Sequence, residues 1–190
     1  NGRVKVLRKD GQLVYEPAVA NNEIVYNTLT VPRKGQYKLV LPDGSKVWLN
    51  SESSIRYPVS FSGKERRVFI TGEAFFEVAK DKTKPVRVVA GEVTIEDLGT
   101  QCNVNAYTNE PFFAATLIEG SIRVSKGSAV KVLKPSQQAQ LTNAEFRIVD
   151  TDNDDAIAWK DNQFKFTNTS IDEIMRQIAR WYDADIVYQD

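Results

Sequence analysis

The chain has 190 residues, with 25 basic and 25 acidic side chains, no histidine, one cysteine and one methionine. That length holds one medium domain with a real core, or one domain and part of another. Zero formal charge gives no pull toward nucleic acid or anionic lipid, and the lack of histidine excludes Ser-His-Asp and Cys-His catalysis as well as His-ligated zinc and haem.

A lone cysteine, Cys102, cannot close an internal disulfide. No apolar run reaches the ~18 residues of a membrane span, and there is no secretory leader. The chain opens at Asn1 and its one methionine is Met175. An upstream part, with any targeting segment, is therefore expected to precede it.

Val, Ile and Thr dominate over Leu, and branching at Cβ suits a pleated strand better than a helix. In chain order, Val4, Val6 and Leu13 flank Asp10-Gly11, a pair that favours a tight hairpin turn. Tyr37–Leu41, the turn Pro42-Asp43-Gly44-Ser45 and Lys46–Leu49 repeat that design. Further strands are predicted over Arg67–Thr71, Ala74–Ala79, Val86–Val89, Val93–Asp97, Cys102–Ala106, Phe113–Leu117, Ser121–Val124, Ala129–Leu133, Gln138–Leu141 and Phe146–Val149. Nearly every gap between them holds Gly, Pro, Asn or Asp. Gly72, Gly99 and Gly120 each precede a strand-like block, at intervals suited to stacked β-coils. Residues 1–149 thus read as one all-β domain, solenoid-like or a sandwich.

The character changes at Asp150. Residues 150–158 open with Asp150-Thr151-Asp152-Asn153-Asp154-Asp155 and read as an acidic linker. Gln163–Thr167 alternates like a strand. Ser170 with Glu173 forms a capping box, and Ile171, Ile174, Met175, Ile178, Trp181 and Tyr182 make one apolar helical stripe. Ala184–Tyr188 reads as a second strand, so residues 159–190 are expected to be a β-α-β unit cut short.

No constellation builds a reactive centre. Asp150, Asp152 and Asp154 fall at alternate positions of a calcium loop, but Asp155 stands where the turn requires Gly, so a solvated linker is the better reading. Cys102 has no base to activate it and reads as a small buried apolar residue. Glu73, Glu77, Glu92, Glu96 and Asp97 could pair for glycoside hydrolysis, but a solvated acidic surface accounts for them more simply. Trp48, Tyr57 and Phe61 could stack a sugar, yet read as core. Lys64-Glu65-Arg66-Arg67 reads as a loop, not a nucleic-acid patch. No catalytic residue, metal or cofactor is expected. Trp181 and Tyr182 close the helix stripe, and an incomplete unit would leave them partly exposed to a partner.

Taken in order, several blocks carry a resemblance: Leu41-Pro42-Asp43-Gly44-Ser45-Lys46-Val47-Trp48-Leu49-Asn50, Gly72-Glu73-Ala74-Phe75-Phe76-Glu77-Val78, Gly99-Thr100-Gln101-Cys102-Asn103-Val104 and Glu119-Gly120-Ser121-Ile122-Arg123-Val124. With Val31–Gln36, Ser53–Tyr57 and Lys134–Ala139, this stretch resembles the periplasmic part of FecR-type sigma-factor regulators, also called anti-sigma factors. Trp159-Lys160, Phe164-Lys165-Phe166, Ile171–Met175 and Arg180-Trp181-Tyr182 look like the opening of the C-terminal domain that follows it. Cys102 departs from the Phe usual there, and the C-terminal domain stops about halfway.

The resemblance implies a periplasmic, signal-receiving domain of a single-pass inner-membrane protein, with its membrane anchor upstream of this sequence. It implies two protein partners. One is the signalling domain of a TonB-dependent transducer; the other is an extracytoplasmic-function sigma factor, held by a cytoplasmic segment. The residues alone point the same way, since a neutral β-rich chain without a nucleophile suits protein contact. The terminal strand Ile186–Tyr188 would offer a free edge, with Trp181, Tyr182 and Tyr188 as the expected partner-binding residues. A carbohydrate-binding β module and a β-fold glycoside hydrolase are the rival readings, and neither accounts for the ordered blocks.

Overall fold

In the computed structural model the backbone of residues 5–9 and 12–16 is described, together with residues 24–97, 99–142 and 145–188. Strands β1 (Lys5–Lys9) and β2 (Gln12–Glu16) pair antiparallel with Lys9 opposite Gln12, as expected for a two-residue turn. The Asp10-Gly11 turn and the side chains of this hairpin lie outside the described residues.

Period-two burial then builds two layers. The first sheet runs β3 (Tyr26–Val31), β6 (Ser53–Pro58), β7 (Arg66–Glu77), β8 (Val86–Ala90), β9 (Val93–Asp97), β12 (Ile122–Lys126), β13 (Ala129–Leu133). The second runs β4 (Tyr37–Val40), β5 (Lys46–Leu49), β7, β10 (Gln101–Ala106), β11 (Phe113–Glu119), β14 (Gln137–Thr142), β15 (Glu145–Asp150). Every second residue points inward: Val86 and Val88 on β8, Ile122 and Val124 on β12, Val47 and Leu49 on β5, Cys102 and Val104 on β10. These side chains fill one core between the layers. The β8–β9, β10–β11, β12–β13 and β14–β15 hairpins alternate between the layers, so a sandwich is wound as a coil, and β13 approaches β14 and β15 to leave the sheet nearly closed.

Two expected strands, Arg67–Thr71 and Ala74–Ala79, are one. β7 runs unbroken from Arg66, pairing with β6 and β8 before Gly72 and with β5 and β10 after it. Gly72 is the corner. Its φ is +74°, and a Cβ there would lie 2.4 Å from Ser53 Oγ and 2.8 Å from the Glu52 carbonyl, so only glycine fits. Gly99 and Gly120 sit at two later crossings between layers, from β9 to β10 and from β11 to β12, which gives the glycine repeat its physical meaning.

The Asp43 of the hairpin turn is held by Arg66, the first residue of β7, at 2.6 Å, with both side chains largely buried. Arg66 also donates to the Lys84 and Ala79 carbonyls, each at 2.8 Å. Arg66, read from the sequence as loop, thus opens the strand one residue before the expected start at Arg67.

The C-terminal part differs most from the sequence reading. Asp152 caps a one-turn helix, α1 (Asn153–Ile157), by accepting from the Asp154 N–H at 2.9 Å, and a 3-10 turn over Ala158–Asp161 follows. The acidic segment is thus structured rather than a bare linker. Its Asp152, Asp154 and Asp155 surround Lys165 at 2.8, 3.6 and 3.2 Å. The helix α2 (Ile171–Tyr182) forms as expected, with both halves of the Ser170–Glu173 capping box present. Gln163–Thr167 and Ala184–Tyr188 are not strands, because among the described residues no neighbouring strand takes up their backbone groups. The expected β-α-β unit is a single helix between two irregular segments.

Candidate protein-docking site

The outward side of the second sheet is polar at its centre. Glu73 on β7, Asn103 on β10, Thr116 on β11 and Gln138 on β14 alternate with the inward core residues. They are not solvated. The α1–3-10 segment and α2 lie over them, leaving a cavity of about 180 Å³ lined by Glu73, Asn103, Thr116, Gln138, Trp159 and Gln177 among others.

Glu73 is the hub. Asn50 donates through Nδ2 to one carboxylate oxygen at 2.8 Å and Asn103 through Nδ2 to the other at 2.9 Å. The Glu73 backbone N–H donates to Ser53 Oγ at 2.8 Å, and its carbonyl accepts from the Asn50 N–H at 3.0 Å. Burial pushes the Glu73 carboxyl above its ordinary value; the two amide donors and the nearby Arg180 guanidinium oppose that rise.

With their Nδ2 groups committed, both asparagines turn their oxygens toward the C-terminal segment. Trp159 Nε1 donates to Asn103 Oδ1 at 3.2 Å, and Trp181 Nε1 donates to Asn50 Oδ1 at 3.0 Å. Gln36 spans the junction, donating to Asn50 Oδ1 at 3.2 Å and to the Trp159 carbonyl at 3.1 Å. Beside this hub, Arg180 lies 4.0 Å over the Tyr107 ring and is ion-paired with Glu110, which also holds Arg176 at 2.8 Å. The Lys34 N–H donates to the Arg180 carbonyl at 3.0 Å. Burial pushes the Tyr107 hydroxyl pKa up; this hydroxyl donates to the Ser51 carbonyl.

Helix α2 therefore sits on its polar side. Arg180 is its only buried residue, while Ile171 and Tyr182 are each 62 % exposed. The other stripe residues, Ile174, Met175, Ile178 and Trp181, are half-buried.

The three aromatics singled out in the sequence are placed differently from one another. Trp181 turns inward, bonded to Asn50 and packed at a tilt against Phe164, with ring centroids 4.2 Å apart. Tyr182 is exposed at the last turn. Tyr188, also exposed, reaches back to Asp172 in the first turn, and that hydrogen bond raises its pKa. The ten-residue separation of Asp172 and Tyr182 puts the two tyrosines about 15 Å apart along the helix. They flank the stripe rather than form one cluster.

Glu73 and Asp97, read from the sequence as solvated acids, are buried. Asp97 caps the turn into β10 by accepting from the Gly99 N–H at 2.6 Å and from Thr100. Tyr57 is core, Phe61 packs against it, and Trp48 lies on the outer side of the second sheet, edge-on to Phe75 at 5.5 Å. Cys102 is buried in the core, and that burial raises its thiol pKa. Sequence reasoning missed the hub itself. Its signal was that Asn50, Glu73 and Asn103 each sit in one of the three most distinctive blocks.

No helix among the described residues is long and apolar enough to cross a membrane. The FecR protein family model matches residues 27–123, and the model of the FecR C-terminal region matches residues 163–190. Comparison with curated proteins returns no match. Two crystal structures of a candidate anti-sigma factor from Parabacteroides distasonis superpose closely. The one at 1.65 Å has a TM-score of 0.80 and 30 % identity, over 83 % of this chain and 75 % of that chain. The one at 2.50 Å has a TM-score of 0.80 and 29 % identity, over 84 % and 76 %. The family model covers the part of the β sandwich in which the distinctive blocks meet at Glu73, and the chain belongs to the FecR protein family.

Proposed function

We propose that this chain is the periplasmic, signal-receiving part of a membrane-anchored anti-sigma factor. In this reading its partners are the signalling domain of a TonB-dependent outer-membrane transducer and, through a cytoplasmic segment, an extracytoplasmic-function sigma factor. The division of labour follows chain order: a β domain over residues 1–149, an acidic connector over 150–158 and a C-terminal unit from 159.

The observation that carries the reading is the orientation of α2. An amphipathic helix usually buries its apolar stripe. Here Arg180 faces the β domain, while Ile171 and Tyr182, together with Val187 and Tyr188 of the following segment, are exposed. Exposed apolar side chains at both ends of a half-buried stripe, outside a polar junction, suit contact with another protein. Its rim would be Tyr182 and Tyr188, with Trp181 fixing the helix beneath. The anti-sigma factor description of the similar Parabacteroides structures supports the same role.

Isothermal titration of the chain with the transducer's signalling domain tests this. Saturable binding is expected, weakened at least tenfold by Tyr182→Ala with Tyr188→Ala. Trp181→Ala added to that pair should weaken it further. Unchanged affinity in the double variant would remove this face as the docking surface, and binding only to a glycan panel would replace the proposal with a carbohydrate module.

A further inference from the structure

We infer that the C-terminal segment is a reversible latch: α1, the 3-10 turn and α2 undock from the β domain as a unit while the sandwich stays folded. The inference rests on how the junction is made and needs no partner.

The attachment of α2 is polar, and the 3-10 turn adds two buried apolar residues, Ala158 and Trp159. Among the described residues, nothing beyond Ile148 belongs to the apolar cluster that fills the sandwich. What holds α2 is the ion pairs of Glu110 with Arg176 and Arg180, the Arg180–Tyr107 stack, the Lys34–Arg180 backbone bond and the Trp181–Asn50 bond. Longer ion pairs join Asp183 to Arg33 at 3.8 Å and to Lys34 at 3.7 Å. The exposed Asp183 pairs exchange readily for water and weaken with salt, and the buried Glu110–Arg180 pair regains hydration on both partners when it opens, unlike a buried apolar interface.

Most of the seat stays satisfied without its occupant; Asn103 Oδ1, which loses Trp159, is the exception and turns to water. Glu73 keeps both amide donors when α2 leaves, because Asn50 and Asn103 belong to the β domain. Asn50 Oδ1 loses Trp181 but keeps Gln36 and the Ser51 N–H, the latter at 2.8 Å. Tyr107 keeps Ser51 and Ser53. Within α2, Arg180 is the only buried residue, and it would regain water on release together with Trp159 of the 3-10 turn. A low-lying local opening follows, distinct from global unfolding.

Native-state hydrogen exchange on the whole chain reads this directly. The amides of Ile171–Tyr182 are expected to exchange at least tenfold faster than those of Arg66–Glu77. Raising sodium chloride from 50 to 500 mM should accelerate only the helix. Glu110→Gln should speed helix exchange a further tenfold, leave β7 unchanged and remove most of the salt response. If that variant does not fold, Arg176→Gln and the salt series on the unmodified chain give the same readout. Helix and β7 amides exchanging at one common rate, or a salt or Glu110→Gln effect shared equally by both, would overturn the latch.

Discussion

Trp159 and Asn103 meet across the junction, with the indole N–H 3.2 Å from the amide oxygen. It is the only partner that oxygen has among the described residues, and both side chains are buried. The matching pair, Trp181 and Asn50, is redundant, because Asn50 Oδ1 also accepts from Gln36 and from the Ser51 N–H. The two tryptophans should therefore respond differently to loss of the N–H.

Trp159→Phe leaves a buried acceptor unpaired and is expected to cost about 1–3 kcal/mol. Trp181→Phe removes one of three donors and should cost about 0.5–1.5 kcal/mol. Urea unfolding of the two variants checks the ranking. Equal losses would show that the redundancy at Asn50 carries no energetic weight.

Glu73 gives a pH signature. Burial raises its folded pKa, so between the ordinary value of 4.5 and the folded value the unfolded chain has released a proton that the native state still holds. The unfolded state then binds fewer protons, and this group's contribution to stability falls as pH rises through that window, being fully present below 4.5. Glu73→Gln should abolish that part of the slope. It also turns an amide NH₂ toward an asparagine NH₂ whose orientation is fixed by a tryptophan, which adds a loss of about 1–3 kcal/mol. Unfolding free energy measured for both proteins from pH 4 to pH 8 tests both parts. Parallel curves would contradict the raised pKa.

The buried pair of Asp43 and Arg66 should be costly to break from one side. Asp43→Ala leaves the guanidinium without its counter-charge and is expected to cost about 3–5 kcal/mol. Adding Arg66→Met removes the stranded charge and should recover part of the loss. A double variant less stable than Asp43→Ala alone would point to the Arg66 bonds to the Lys84 and Ala79 carbonyls as the dominant contribution.

Gly72 should tolerate no side chain. Alanine there combines the left-handed backbone cost with overlap on Ser53 and Glu52, so a loss of at least about 2 kcal/mol is expected. Gly127→Ala is the control, since its φ is +54° but its Cβ would meet open space; about 1–2 kcal/mol is expected. Thermal unfolding of the two side by side distinguishes crowding from backbone strain.

Much of the sandwich was legible because its strands carry two-residue periodicity and break at Gly, Pro, Asn and Asp. β3 and β6 escaped notice. β6 opens on two serines and closes on Pro58, so its apolar alternation reduces to Ile55 and Tyr57. The join of two expected strands into β7 was hidden because Gly72 looks like a turn and is instead a bend within one strand. The site was illegible for a different reason. Alternation shows which residues share a side of a sheet, but not that Glu73 and Asn103, on the polar side, are buried under a distant segment. The stripe of α2 likewise identified the helix but not the side on which it rests, because Arg176 and Arg180 find Glu110 only in the folded chain.

The central claim is that this chain works by protein contact through the outward side of its C-terminal helix. Hydrogen exchange with and without the transducer's signalling domain measures that footprint. Protection is expected over Ile171–Tyr188, with the inward core strands β5, β8 and β12 unchanged. Protection confined to the β sandwich, or none at saturating partner, would contradict it.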